Sequence, residues 1–396
     1  MPKVYDVAII GSGPAGSTCA YYLSKAGLQN AILQKGKSVG EPLQCAEGLI
    51  RKALLEEWEL PLSDKALVSY IDKALIVSPG NIKANVSFPR GGLMLDRRQF
   101  DKELANEAVK KGSTLYLDFQ ATRIEKIDNL WHIYSKDNKL VKSRALIGAD
   151  GVGSFTGRYL KIIPPLKPEQ VHTCFQVIAE NVSLERNRIE LYLNPEIAPG
   201  GYIWVFPKGD SKANIGLGCH RSVWNIRDRT LEKRLMQFIA QRYNDCRITG
   251  KIRGITPAVE KFPMMVDDGV IIVGDAAHVT DPFSGGGTHN ALRTGHLAAK
   301  WLTRAFNERN LSKEFLDGYR REWIERREFV HKLLYKTSTW LRESDDKELD
   351  KLVEITQDLF GNISLNELKI PYVLKKVLIH HPVYALKSAG IFLNKK

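Results

Sequence analysis

Four stretches of this chain carry groups that can do chemistry. Gly11-Ser12-Gly13-Pro14-Ala15-Gly16 has GxGxxG spacing. Gly11 permits a tight turn, Gly13 lets the backbone approach a pyrophosphate, and Gly16 lets a helix pack closely on a strand. Phosphates then sit at the positive helix end. A plain strand–helix turn would give the same spacing. Gly274-Asp275-Ala276-Ala277-His278 carries a carboxylate ahead of Asp281-Pro282 and Gly285-Gly286-Gly287. Tyr202-Ile203-Trp204-Val205-Phe206-Pro207 alternates so that Tyr202, Trp204 and Phe206 share one strand face. That wall suits a substrate offering only apolar area, although a core stripe would look the same. Cys45 lies between Gly40 and Gly48, whose presence suggests a loop close to a ligand. A small buried cysteine is otherwise structural. His278 and His289 could relay protons, with packing or capping as the plainer use, and their spacing suggests no metal site.

These groups need elements to hold them. Residues 4–10 (VYDVAII) read as a buried strand, 14–26 as a helix and 30–34 (NAILQ) as a second strand, a βαβ opening. The fingerprint wants an acid at the end of that second strand to bind ribose hydroxyls. Gln34 stands there. Its carbonyl can accept from a hydroxyl without the charge, so the substitution Gln34→Glu is expected to tighten binding. The alternative is that Gln34 and Lys35 accommodate the 2′-phosphate of NADP. Residues 97–111 read as a helix with Phe100, Leu104, Ala108 and Val109 on one face, and 115–147 alternate like a β-meander. Residues 145–149 (ALIGA) end that meander as a buried strand, followed by Asp150-Gly151. Residues 170–220 read as an antiparallel sheet, 270–274 (VIIVG) as a buried strand, and a helix runs to about 305. From 312 onward the pattern is mostly helical, interrupted by Pro371 and Pro382.

The layout resembles the flavin reductases and hydroxylases of the p-hydroxybenzoate hydroxylase type, carried by the glycine fingerprint, Ala149-Asp150-Gly151 and the Gly274–Gly287 run. The resemblance implies FAD. It implies that Asp275 binds a ribityl hydroxyl and that Gly286 and Gly287 bring backbone N–H groups to the flavin's pyrimidine end. Arg97, in Leu95-Asp96-Arg97-Arg98-Gln99-Phe100-Asp101, is implied near the phosphates and ribityl chain. Pro199–Lys208, with Tyr202–Pro207 as YxWxFP, and Gly40–Leu49 narrow the resemblance to the geranylgeranyl reductases. That places Cys45, Ala46 and Gly48 beside the flavin, and Ala15, Ala121 and Thr288 complete the implied cofactor set.

The implied fold is α/β. A Rossmann-type FAD-binding domain is split in sequence over 1–165 and 250–305, including a 40–95 loop or insert. An antiparallel-sheet substrate domain occupies 166–249, and a helical C-terminal region 306–396. The implied reaction saturates C=C bonds of polyprenyl chains of archaeal-type membrane lipids. An FAD-dependent monooxygenase of an aromatic or prenylated substrate is the alternative. Unpolarised alkenes need a proton as well as a hydride, and Cys45 and Tyr202 are candidate donors. No NAD(P)H site is evident, and a ferredoxin or another small reductant is a candidate electron source.

Composition bounds the rest. The chain has 396 residues, enough for roughly two to three domain-sized units. No run of about 18 apolar residues occurs, so no spanning helix is expected. The start shows no signal-peptide pattern, and the 5 cysteines form no CxxC pair. Both features fit the cytoplasm. A net charge of +13 implies an anionic partner. No nucleic-acid signature accompanies it, so an anionic membrane surface, contacted peripherally, is expected. The 369–396 tail, with Val373, Leu374, Val377 and Leu378 on one helical face beside Lys375 and Lys376, is the candidate contact.

Overall fold

The structure is a computed structural model and describes residues 3–50, 63–223 and 230–361. Strand β1 (Val4–Ile10) is buried from Val7 onward on both faces, as a central strand of a parallel sheet must be. It pairs in parallel with β2 (Asn30–Leu33) on one side and β9 (Leu140–Gly148) on the other. Helix α1 (Pro14–Lys25) fills the crossover, with proline in its first turn, where no N–H is needed.

The remaining elements follow in chain order. Strands β3 (Gly48–Ile50), β4 (Leu67–Val77) and β5 (Lys83–Leu95) precede α2 (Arg97–Lys110). Asp96 caps α2 by accepting from the backbone N–H groups of Arg98 and Gln99. Strands β6 (Thr114–Tyr116), β7 (Ala121–Ile127) and β8 (Leu130–Ser135) lead to β9, and α3 (Phe155–Tyr159) follows. Strands β10 (Val171–Glu180), β11 (Arg188–Tyr192), β12 (Tyr202–Pro207) and β13 (Lys212–His220) come next. Then come α4 (Thr230–Arg242), β14 (Arg247–Pro257), β15 (Val266–Asp267) and β16 (Val270–Ile272). Three helices close the described chain: α5 (Thr288–Asn307), α6 (Lys313–Glu343) and α7 (Asp346–Phe360).

The first sheet runs β15-β16-β9-β1-β2-β6, with β7 and β8 joined to β9. The far-separated β16 thus lies beside β9, which makes this unit discontinuous in sequence. The meander is shorter than expected, because β6 pairs in parallel with β2 and only β7–β9 are antiparallel neighbours.

The second sheet runs β14-β10-β13-β12-β11-β4-β5-β3. It is larger than the 166–249 span, since β3, β4 and β5 from the 40–95 insert and β14 hydrogen-bond into it. It is also mixed, because β11 pairs with β4 in parallel. One face, with Val177, Ile203, Val205, Ile215 and Leu217, is buried under α4. The other bears His172, Cys174, Gln176, Tyr202, Trp204, Phe206, Asn214, Gly216, Gly218 and His220 by register.

Small residues let α5 close on α1. A Cβ at Gly295 of α5 would fall 2.3 Å from the carbonyl oxygen of Ala15 in α1. Helix α7 ties back to the second sheet, where Asp350 Oδ1 accepts from Gly80 N at 2.7 Å and Gln357 Oε1 from Asn85 N at 2.7 Å. Among the described residues no helix is long and apolar enough to cross a membrane. The basic 369–396 tail lies outside the described residues.

Candidate active site

The candidate phosphate end is built by backbone. Gly11 has φ of 108°, and a Cβ there would sit 2.2 Å from the Ala149 carbonyl oxygen. A Cβ at Gly16 would sit 2.0 Å from the Gly11 carbonyl oxygen. Both glycines are therefore demanded by packing. Gly13 differs: no protein atom lies within 4 Å of a Cβ built there. It is the N-cap of α1, with no side-chain cap and no acidic residue in the first turn, so the leading N–H groups face open space. This is the cradle a pyrophosphate requires. Ala15 is packed beneath it, 2.9 Å from where Gly274 would carry a Cβ.

Gln34 directly follows β2 and is buried. Its Nε2 donates to the Ser38 carbonyl at 3.1 Å, which leaves the carboxamide oxygen as the acceptor end of the side chain. Ala121 opens β7, two residues beyond Phe119, whose N–H donates to the Gln34 carbonyl at 2.9 Å.

A second cluster forms where α2, α5 and the Cys45 loop meet. The Arg97 guanidinium holds Asp101 in a two-point pair at 2.9 and 3.0 Å, and its Nη1 also donates to Cys45 Sγ at 3.2 Å and Thr288 Oγ1 at 2.9 Å. Burial acts against the Arg97 charge, but Asp101, Cys45 and Glu47 hold its pKa above the ordinary value. Asp275 is half-buried and accepts from Thr280 Oγ1 at 2.8 Å. Burial pushes its pKa up, against Thr280 and Arg97. A Cβ at Gly287 would fall 2.8 Å from Asp275 Oδ1. Gly287 is the N-cap of α5 and makes no side-chain cap, so the positive end of this helix lies beside Asp275.

The third part is the other face of the second sheet, where Gln176, Trp204 and Asn214 are buried and Tyr202 and Phe206 are partly exposed. Tyr202, Trp204 and Phe206 do share it, opposite Gly218, Gly216 and Asn214 of β13. The indole of Trp204 lies on Gly216, where a Cβ would be 2.3 Å from the ring, and meets Tyr202 edge-on with centroids 6.0 Å apart. Phe206 lies against Gly48, 3.2 Å from the position of an added Cβ, so that glycine accommodates an aromatic ring. Tyr202 Oη donates to the Ser284 carbonyl at 2.5 Å, and burial pushes its pKa up. With its proton committed, Tyr202 fits an anchor of the glycine-rich loop better than a proton donor.

Several side chains that the motifs did not single out join these parts. Gln176 Oε1 accepts from Trp204 Nε1 at 2.9 Å, and its Nε2 donates to the Cys45 carbonyl at 3.1 Å. Asn214 Nδ2 donates to the Ala46 carbonyl at 3.1 Å and to Glu47 Oε2 at 2.7 Å. Lys208 Nζ donates to the same carboxylate oxygen at 2.5 Å. Lys208 immediately follows the aromatic motif, the one local signal that could have found it. His278 is buried in a left-handed turn with its pKa lowered by burial to about 4, and no metal-binding group of three His, Cys, Asp or Glu occurs among the described residues.

Residues 6–68 match a family model described as an FAD binding domain, and residues 170–259 match a geranylgeranyl reductase catalytic domain. The cofactor is FAD. A solved geranylgeranyl bacteriochlorophyll reductase-like protein from Thermoplasma acidophilum superposes with a TM-score of 0.90 at 28% identity, covering 99% of this chain and 100% of that one. The halogenase PltM in complex with FAD shares the fold, with a TM-score of 0.71 at 16% identity over 98% of this chain and 85% of its own. The digeranylgeranylglycerophospholipid reductase of Methanocella arvoryzae is 30% identical, covering 99% of this chain and all of its own. A second enzyme of that name, from Methanopyrus kandleri, is 32% identical over 96% and 97% of the two chains. With identity sustained along nearly the whole of both sequences, this chain belongs to the digeranylgeranylglycerophospholipid reductase family.

Proposed function

We propose that this protein saturates C=C bonds in the geranylgeranyl chains of an archaeal-type membrane lipid. The observation that carries the reading is the aromatic face of β12. Tyr202, Trp204 and Phe206 meet the Cys45–Gly48 loop on one side and the Ser284–Gly287 loop on the other. An apolar chain laid along that face gains dispersion and area burial while water is excluded.

In this reading Gly11, Gly13, Ala15 and Gly16 hold the FAD pyrophosphate, and Gln34 and Ala121 lie on the adenosine side. Asp275 and Arg97 take the ribityl chain and phosphates. Cys45, Ala46, Gly48, Gly286, Gly287 and Thr288 border the flavin ring. When reduced, FAD supplies a hydride equivalent to one alkene carbon. The protein orients the chain, keeps water out and brings a proton to the other carbon. Cys45 is the residue we assign to that proton, since its thiol is held by Arg97 at the junction of the loops. Photoreduced protein under anaerobic conditions should be reoxidised by a geranylgeranyl lipid. No reoxidation by the lipid, with a hydroxylated product appearing only once oxygen is admitted, would overturn the assignment in favour of a monooxygenase.

Electrons reach the flavin from a ferredoxin or another small reductant. The +13 net charge supports peripheral contact with an anionic membrane surface on the cytoplasmic side. Sedimentation with anionic liposomes at low salt and release at high salt is the expected behaviour. Salt-independent sedimentation would contradict it.

A further inference from the structure

Glu47 has an unusual setting for an acidic residue. Its side chain has 0% exposure, and its backbone is left-handed, with φ of 72°. A non-glycine residue holds such a conformation only when its surroundings determine it. Here four separate elements do so. Glu47 Oε1 accepts from the backbone N–H of Arg97 at 3.0 Å, at the start of α2. Glu47 Oε2 accepts from Lys208 at the end of β12 and from Asn214 in β13. The Glu47 carbonyl accepts from Leu95 N at 3.0 Å, and its own N–H donates to Cys45 Sγ at 3.2 Å.

A buried carboxylate is tolerated only when paired and hydrogen-bonded, so these partners act as a unit. The unit spans the site: Lys208 and Asn214 belong to the substrate-facing sheet, and Arg97 is the residue whose guanidinium holds Cys45. We infer that Glu47 is a positioning residue, whose buried pair with Lys208 locks the Cys45 loop onto the aromatic face and so fixes the thiol. Its catalytic consequence rests on the reductase reading above, but the positioning itself does not.

Glu47→Gln leaves a single acceptor oxygen: whichever way the amide turns, its NH2 faces either Lys208 and Asn214 or the Arg97 backbone N–H, so donor faces donor and the loop is loosened. Two readouts on the FAD-loaded protein test this. In the first, alkylation of Cys45 by iodoacetamide, read by peptide mapping, should accelerate about tenfold, as expected of local opening. Cys174 and Cys219, whose thiols burial pushes up to about 12, should stay unchanged as reporters of the whole fold. Equal rates for Cys45 in variant and wild type, or acceleration of all three cysteines together, overturns the inference.

In the second, kcat for the lipid should fall about tenfold or more while KM stays within about twofold, because misplacement costs rate more than binding. The double variant Glu47→Gln with Lys208→Met removes both charges and should melt near the wild type while kcat stays low. Recovery of kcat along with stability would show a purely structural pair. If wild-type protein reduces no geranylgeranyl lipid, the functional reading fails, and the alkylation rates still decide the positioning.

Discussion

The indole N–H of Trp204 and the side-chain carbonyl of Gln176 are joined at 2.9 Å, and the other end of the same carboxamide reaches the Cys45 carbonyl. The aromatic wall and the cysteine loop are thus parts of one hydrogen-bonded assembly. Trp204 is 7% exposed, so its face is a packed surface that an alkyl chain would complete. Trp204→Ala should lower kcat/KM for a geranylgeranyl lipid by an amount corresponding to a few kcal/mol of lost apolar contact. FAD should remain bound with a nearly unchanged spectrum. Loss of flavin or of the fold on this substitution would make the indole a core residue only.

Asp275 should matter for retention of FAD. It is half-buried, with Thr280 donating to its carboxylate and Gly287 packed against it. Asp275→Ala should weaken FAD binding by about 1.5–3 kcal/mol, the worth of a charge-assisted hydrogen bond. Titration of the apoprotein with FAD measures this. An unchanged dissociation constant would place the ribityl chain elsewhere.

Gln34 reverses an expectation. Charge alone argues that a glutamate would hold the ribose more tightly, but Nε2 of Gln34 donates to the Ser38 carbonyl. A glutamate at this position would lose that bond and set a carboxylate against a carbonyl oxygen, at a cost of about 1–3 kcal/mol. The substitution Gln34→Glu should therefore leave FAD affinity unimproved or weaker. Tighter binding in the same titration would show that the Ser38 contact is dispensable.

Acid should destabilise the protein through buried histidines. Burial lowers His172 from 6.5 to about 3, with His220 and Arg342 adding to the effect. Burial lowers His220 from 6.5 to about 4, assisted by Arg342, whose Nη1 lies 3.1 Å from its Nε2. Between those values and 6.5 the unfolded chain takes up protons that the folded chain refuses. Stability is therefore complete above about pH 6.5 and falls progressively as the pH drops toward 4. Melting temperatures across that range should fall, with a shallower slope in His220→Gln. An identical slope in the variant would remove His220 from the account.

Much of the candidate cofactor site was legible because its chemistry uses glycines at fixed spacing. Gly11 and Gly16 are imposed by backbone contact with Ala149 and with Gly11 itself, and no other residue fits. The shared face of Tyr202, Trp204 and Phe206 followed from strand alternation alone. What the pattern could not show was pairing over distance. Lys208 and Glu47 are 161 residues apart, and Gln176 and Cys45 are 131 apart. Nothing local in either segment names its partner. The same holds for β4, which lies in the span expected only as a loop or insert and whose sequence does not name β11 as a parallel neighbour.

The central claim is that the flavin site and the aromatic face together reduce isolated C=C bonds. Mass spectrometry of a geranylgeranyl lipid after incubation with dithionite-reduced protein tests it most directly. The account predicts a series of products, each heavier by two hydrogens for every double bond saturated. Lipid recovered at its starting mass from fully reduced, FAD-loaded protein would contradict it.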